Sequence, residues 1–221
     1  MRLIPSEGNR ERAHRARDLL QTTVLVLVAL TPAWLLPAGV ALPWLAAVSL
    51  LAAPALWFTW TGAPWVPTPT DDLDRVVTLL GVGPDDRVVD LGAGDGRVLR
   101  HVAAVTGARV AGVEAAPAPW LLGAVRGWLG GPRVPVRLAS RYAPSARLRL
   151  AETDAVYLWS TARGVAHPGL PSLLARLPPG ARVVCYATPL PFWVPEAIDT
   201  TGQRPIYRYV VGSSSDKQPT T

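Results

Sequence analysis

The chain has 221 residues, a formal net charge of +6 at pH 7, 49% hydrophobic side chains and a single cysteine. That length suits one catalytic-sized domain with an appendage, and Cys185 alone excludes a disulfide framework and a multi-cysteine metal site. The positive balance does not by itself argue for nucleic acid, because five arginines (Arg2, Arg10, Arg12, Arg15 and Arg17) precede the first apolar run.

From the N-terminus, residues 1–18 read as a basic cytoplasmic segment and 19–60 as two transmembrane helices. Leu19 to Leu36 and Ala38 to Trp60 contain no charge, and a bilayer core takes about 20 apolar residues as a helix. Pro32, Pro43 and Pro54 should kink the spans, while Trp34, Trp44, Trp57 and Trp60 fall near their ends, where indoles favour the headgroup layer. The arginine-rich start keeps the N-terminus inside, and two spans return the chain there. This predicts a multi-pass protein of the cell (inner) membrane with its domain in the cytoplasm. A cleaved signal peptide and a buried soluble hairpin are the alternatives.

Residues 61–70 form a proline-punctuated linker, and 71–212 form the domain. Thr70 can cap a helix whose first turn carries Asp71, Asp72 and Asp74, and Gly81 to Pro84 end it. Strands are predicted at 87–91, 108–113, 134–138, 154–159, 182–187 and 205–211, with helices at 96–105, 117–129 and 165–176. This alternation predicts an α/β fold, a Rossmann-like parallel sheet with helices on both faces. A C-terminal antiparallel hairpin around Gly202 should lie on its edge, and 213–221 reads as a disordered tail.

Chemistry concentrates at "VVDLGAGDGRVL", Val88 to Leu99, where an apolar run ends in Asp90 and turns through Gly92, Ala93, Gly94, Asp95 and Gly96. Glycines at that turn let the backbone approach a ligand over the carboxyl edge of the sheet. The spacing is GxGxG rather than the dinucleotide GxGxxG, and no Gly-Lys-Ser/Thr follows, which excludes a P-loop. Two acids at the turn suit an amino-bearing cationic ligand better than phosphate. After the next strand, "RVAGV", Glu114 is placed to accept two ribose hydroxyls. Together these describe S-adenosyl-L-methionine, its ammonium near Asp90 and its ribose on Glu114; a generic strand-to-helix glycine turn is the alternative.

Val88 to Gly96 and Val110 to Glu114 resemble class I S-adenosylmethionine-dependent methyltransferases. "PWVPTP" (Pro64 to Pro69), "LPPGARVV" and "PLPFW" (within Leu177 to Trp193) narrow this. They are similar to the membrane-anchored protein-lysine methyltransferases that modify the ATP synthase c-subunit and the adenine nucleotide translocase, with prokaryotic relatives. The resemblance covers about Pro64 to Val211. It implies that Pro64 to Thr68, with Pro67 and Thr68 as lid residues, fold over the cofactor and shape the substrate entrance; a rigid spacer reads equally well from the residues. It also implies that Ser140, in "RLASRYAP", stands where relatives carry an adenine-contacting acid. The helix after Glu114, "APAPWLLGAVRGWLGG", is apolar where relatives are charged, so it should pack on something such as the membrane.

Methyl transfer is an in-line displacement and needs alignment more than catalytic groups. The candidates for the acceptor site are Trp159, Ser160 and Thr161, at the carboxyl end of the fourth strand. Trp159 could wall an alkylammonium or be plain core, and Ser160 and Thr161 could merely cap the next turn. His14, His101 and His167 are scattered without ligand spacing, so no metal is expected. Six arginines and no acid lie between Ala115 and Ala151, which favours anionic headgroups, an acidic partner or plain solvent. Without interleaved aromatics, nucleic acid is not an expected partner. The expected partners are the bilayer and a lysine-bearing membrane protein. A lipid or quinone-like acceptor and a catalytically silent scaffold are the other readings.

Overall fold

The computed structural model describes residues 37, 39–49, 65–129, 132–143, 146 and 148–213. The chain divides into two compact units, Met1–Thr61 and Gly62–Thr221. In the first, residues 39–49 are helical. Among the described residues no helix is long and apolar enough to cross a membrane. The basic start 1–18, the first expected span and most of the second lie outside the described residues, as does the tail beyond Ser213.

The second unit is a seven-stranded sheet in the order β3-β2-β1-β4-β5-β7-β6. Its strands are β1 (Arg87–Asp90), β2 (Arg109–Glu114), β3 (Val136–Leu138), β4 (Ala155–Trp159), β5 (Arg182–Tyr186), β6 (Ala197–Asp199) and β7 (Ile206–Val210). The first five run parallel. β7 lies antiparallel to β5, and β6 antiparallel to β7, so the C-terminal hairpin closes one edge. Strand order reverses between β1 and β4, and ligands of open α/β sheets sit at such a switch point.

Side chains alternate across each strand, and the sheet therefore builds two cores. Val156, Leu158, Val183 and Cys185 join Leu170, Leu173 and Leu174 on one face. Ala155, Tyr157, Val184 and Tyr186 face the other way, onto Leu73, Val76, Leu80, Val98 and Val102. Those last residues belong to helices α1 (Leu73–Leu80) and α2 (Arg97–Thr106). Helix α3 (Pro117–Trp128) follows β2, and α4 (Ala162–Val165) and α5 (Gly169–Leu174) follow β4.

Three local expectations change. The helix after the linker does not start at a Thr70 cap: a 3-10 turn, Thr70–Asp72, leads into α1, and the Thr70 hydroxyl bonds the Asp71 carboxylate at 3.3 Å. The helix expected over 165–176 breaks into α4 and α5, because Pro168 and Pro171 cannot supply the amides a continuous helix needs. β3 is shorter than expected and begins after Pro135, another residue without an N–H to donate to a ladder.

Candidate cofactor and acceptor site

β1 delivers Asp90 to the carboxyl edge, where the chain folds back on the sheet. The Leu91 amide donates to the Tyr157 carbonyl (3.0 Å) and the Ala93 amide to Val113 (2.9 Å). Ala93 is buried against Gly112, where a Cβ would stand 2.7 Å from the Ala93 Cβ. Gly94 (φ 54°) and Gly96 (φ 77°) take left-handed conformations open to glycine at no steric cost.

Asp90 is 1% exposed, and its Oδ1 is buried with no hydrogen-bond partner. Burial, and secondarily the Glu114 carboxylate, push its carboxyl well above the ordinary range; Arg141 and the Gly92 amide oppose this. A buried acid with an unspent acceptor is costly by itself and fits a site that receives a cationic ammonium. Glu114 is held by two amides, Gly94 to Oε2 and Ala116 to Oε1, both at 2.7 Å. Each oxygen keeps a second lone pair, so the carboxylate is oriented yet still able to accept two vicinal hydroxyls. These residues fit S-adenosyl-L-methionine on the donor chemistry they present.

Asp95 takes a different place from the one its position in the turn suggests. Its buried carboxylate is engaged by Arg97 (3.0 Å) and by Arg126. Although burial raises its pKa, the Arg97 hydrogen bond and charge hold it below the usual value. Its carboxylate therefore ties the turn to α2 and α3. Ser140 is exposed, and its Oγ accepts from the Tyr142 amide at 3.3 Å.

The neighbouring Arg141 is the group that the sequence reading passed over. Its guanidinium is buried, its Nη1 has no partner, and its charge acts on Asp90 and Glu114. A Cβ placed on Gly92 would lie 3.2 Å from Arg141 Nη2 and 3.8 Å from the Trp159 carbonyl oxygen. A cation thus faces the first glycine of the turn, where it complements a ligand carboxylate. In the sequence it was one arginine of an acid-free run that read as surface.

The linker lies on this crevice. The Trp65 indole covers Gly94, where a Cβ would meet Nε1 at 2.6 Å. Pro67 is half-buried and Thr68 is buried, the Thr68 hydroxyl bonding the Tyr157 hydroxyl at 2.8 Å. The Arg97 guanidinium donates to the Thr68 carbonyl (3.3 Å). Tyr157 and Tyr186, also missed from sequence, read there simply as strand residues.

At the ends of β4 and β5, Trp159 and Tyr186 pack with ring centroids 4.6 Å apart, tilted by 57°. The Tyr186 hydroxyl donates to Asp72, which Arg75 holds at 2.6 Å. Thr161 caps α4 through the Gly164 amide (3.2 Å), and Ser160 Oγ sits against Gly164. After β5, Ala187 has φ 66°, and the Thr188 amide bonds the Tyr186 carbonyl across it at 2.8 Å, a strained γ-turn. Cys185 is buried in the core, which pushes its thiol pKa up and makes it inert. Among the described residues no group of His, Cys, Asp and Glu could hold a metal ion.

No protein-family model matches the chain. It is 32% identical over 157 residues, 68% of its length, to the adenine nucleotide translocase lysine N-methyltransferase of Mus musculus, and the match spans 64% of that relative. In structure it is similar to an RNA methyltransferase from Salinibacter ruber solved with S-adenosyl-L-homocysteine. That likeness has a TM-score of 0.59 and 26% identity, covering 71% of this chain and 98% of that one. The sheet order, the glycine turn between Asp90 and Glu114 and these likenesses together place the chain among the class I S-adenosylmethionine-dependent methyltransferases.

Proposed function

We propose that the protein is a membrane-associated methyltransferase that transfers a methyl group from S-adenosyl-L-methionine to a lysine of a membrane-associated protein. The observation that carries the cofactor half is the pairing of a buried, unpartnered Asp90 Oδ1 with a Glu114 carboxylate fixed by two amides across the glycine turn. The acceptor half rests on the likeness to the mouse translocase lysine methyltransferase and on the partly exposed Trp159 at the same edge, backed by the buried Tyr186 ring. Membrane association rests on the uncharged runs Leu19 to Leu36 and Ala38 to Trp60.

When bound, S-adenosyl-L-methionine supplies an electrophilic methyl on a sulfonium whose sulfur departs as a thioether. Asp90 holds the ammonium, Arg141 the carboxylate and Glu114 the ribose. Trp65 and Thr68 close over the turn and exclude water, which keeps nucleophile and leaving group in line. A lysine must arrive neutral, although its reference pKa is about 10.4. Trp159, which is partly exposed, walls its alkyl stem, and desolvation there favours the uncharged amine.

The test is label transfer from methyl-tritiated S-adenosyl-L-methionine to membranes of a host lacking the gene, with the wild type and Gly94→Arg. Label in a discrete protein band, as methyllysine and absent with the variant, is the expected result. Label only in the lipid extract moves the acceptor to a small molecule, and label only in RNA moves it to nucleic acid. No transfer despite cofactor binding leaves a silent scaffold.

A further inference from the structure

Helix α3 is built inside out. Its inner side is small: a Cβ on Gly123 would come within 2.6 Å of the Asp95 carbonyl oxygen, and Gly127 is buried. This lets the helix seat directly on the glycine turn. Its outer side carries Leu121 (56% exposed), Val125 (41%), Trp128 (77%) and, just past the end, Leu129 (71%). At about 100° per residue these four fall within roughly 100° of arc, an apolar stripe aimed away from the core. An ordinary surface helix does the reverse.

The charge around the stripe has one sign. No acid occurs between Glu114 and Glu152, whereas six arginines do. Arg133, which lines a groove together with Trp128, is exposed, and its Nε donates to the Gly127 carbonyl at 3.4 Å. This groove, of about 380 Å³, opens beside the stripe, flanked by Arg100 and Arg133 and walled by Trp120, Trp128, Val134 and Val136. The acid that lines it, Asp95, is already paired with Arg97 and Arg126. Apolar side chains beside exposed arginine and a groove flanked by Arg100 and Arg133 are complementary to a surface with an apolar interior and anionic phosphates.

We propose that the outer face of α3, with Arg133 at its border, docks on a lipid bilayer carrying anionic headgroups, the Arg100–Arg133 groove receiving a headgroup phosphate. The contact is independent of the uncharged runs in residues 19–60 and of the acceptor.

The test uses the full chain with Leu129→Cys carrying an environment-sensitive dye; the buried Cys185 leaves position 129 as the reactive thiol. Fluorescence is quenched with doxyl-labelled lipid in vesicles of phosphatidylcholine alone or with one-third phosphatidylglycerol. Quenching several-fold stronger in the anionic vesicles is expected. It should fall about tenfold in lipid dependence with Arg133→Glu, and fall likewise in about 0.5 M salt, where screening is short-ranged. A dye at Ser172→Cys on α5 should show none of this. Equal quenching in both vesicles, or none, overturns the proposal. So does a dye shielded without lipid quenching, which means that residues 19–60 or a second copy cover the face.

Discussion

At the residue scale, Asp90 decides how the crevice responds to pH. Burial and the Glu114 carboxylate raise its pKa in the folded chain, whereas a bound ammonium requires the carboxylate. Affinity for S-adenosyl-L-methionine should therefore rise with pH through that raised value, and Asp90→Asn should weaken binding and flatten its pH dependence. Stability moves in the opposite sense. A folded carboxyl with a raised pKa binds more protons than the unfolded one, so its contribution is full below the unfolded pKa and is lost as pH rises through the folded one. Urea titrations across pH on wild type and Asp90→Asn, without ligand, should show that slope only in the wild type. Arg141 lay hidden in the sequence because a buried guanidinium and a solvated one have the same spelling. The motif acid Asp95 was legible as important, but its arginine partners, Arg97 beside it and Arg126 on another helix, could not be read from spacing.

At the element scale, α1 is pinned to the far edge of the sheet by one side chain. Arg75 donates two hydrogen bonds to Asp199 at the end of β6, both at 3.0 Å, and a third to Asp72 at 2.6 Å. The Asp199 hydrogen bond and charge raise the Arg75 pKa, and Arg75 in turn holds Asp199 below its usual value. Arg75→Ala strands two carboxylates, one of them 5% exposed, and should cost about 3 kcal/mol in chemical denaturation. Arg75→Lys should recover only part of that, since an ammonium cannot replace the planar fork. Because Asp72 also receives the Tyr186 hydroxyl, loosening α1 should disturb the Trp159–Tyr186 pair as well. The strands and the parallel order were readable from apolar runs and turn residues. The split into α4 and α5 was signalled by Pro168 and Pro171, whose weight an apolar helical pattern concealed.

At the scale of the whole molecule, the fold follows from the alternation of short apolar strands with helices, and the glycine turn marks where its switch point opens. The cofactor reading of the turn could be made from sequence because Asp90, the glycines and Glu114 lie within one β-α-β unit. The linker's place over the turn could not be read that way, since the Thr68–Tyr157 bond joins residues 89 positions apart. Nor could local pattern distinguish an apolar helix that faces the core from α3, whose apolar stripe faces outward; only packing decides that.

The central claim is that S-adenosyl-L-methionine is held at the turn between Asp90 and Glu114. Equilibrium dialysis of the labelled cofactor against the full-length protein, wild type beside Gly94→Arg, tests it most directly. An arginine at Gly94 would need a left-handed backbone and would drive its side chain into Trp65. The account predicts saturable binding near one equivalent for the wild type, and none for a variant that keeps its far-ultraviolet circular dichroism. Unchanged affinity in the folded variant would contradict it.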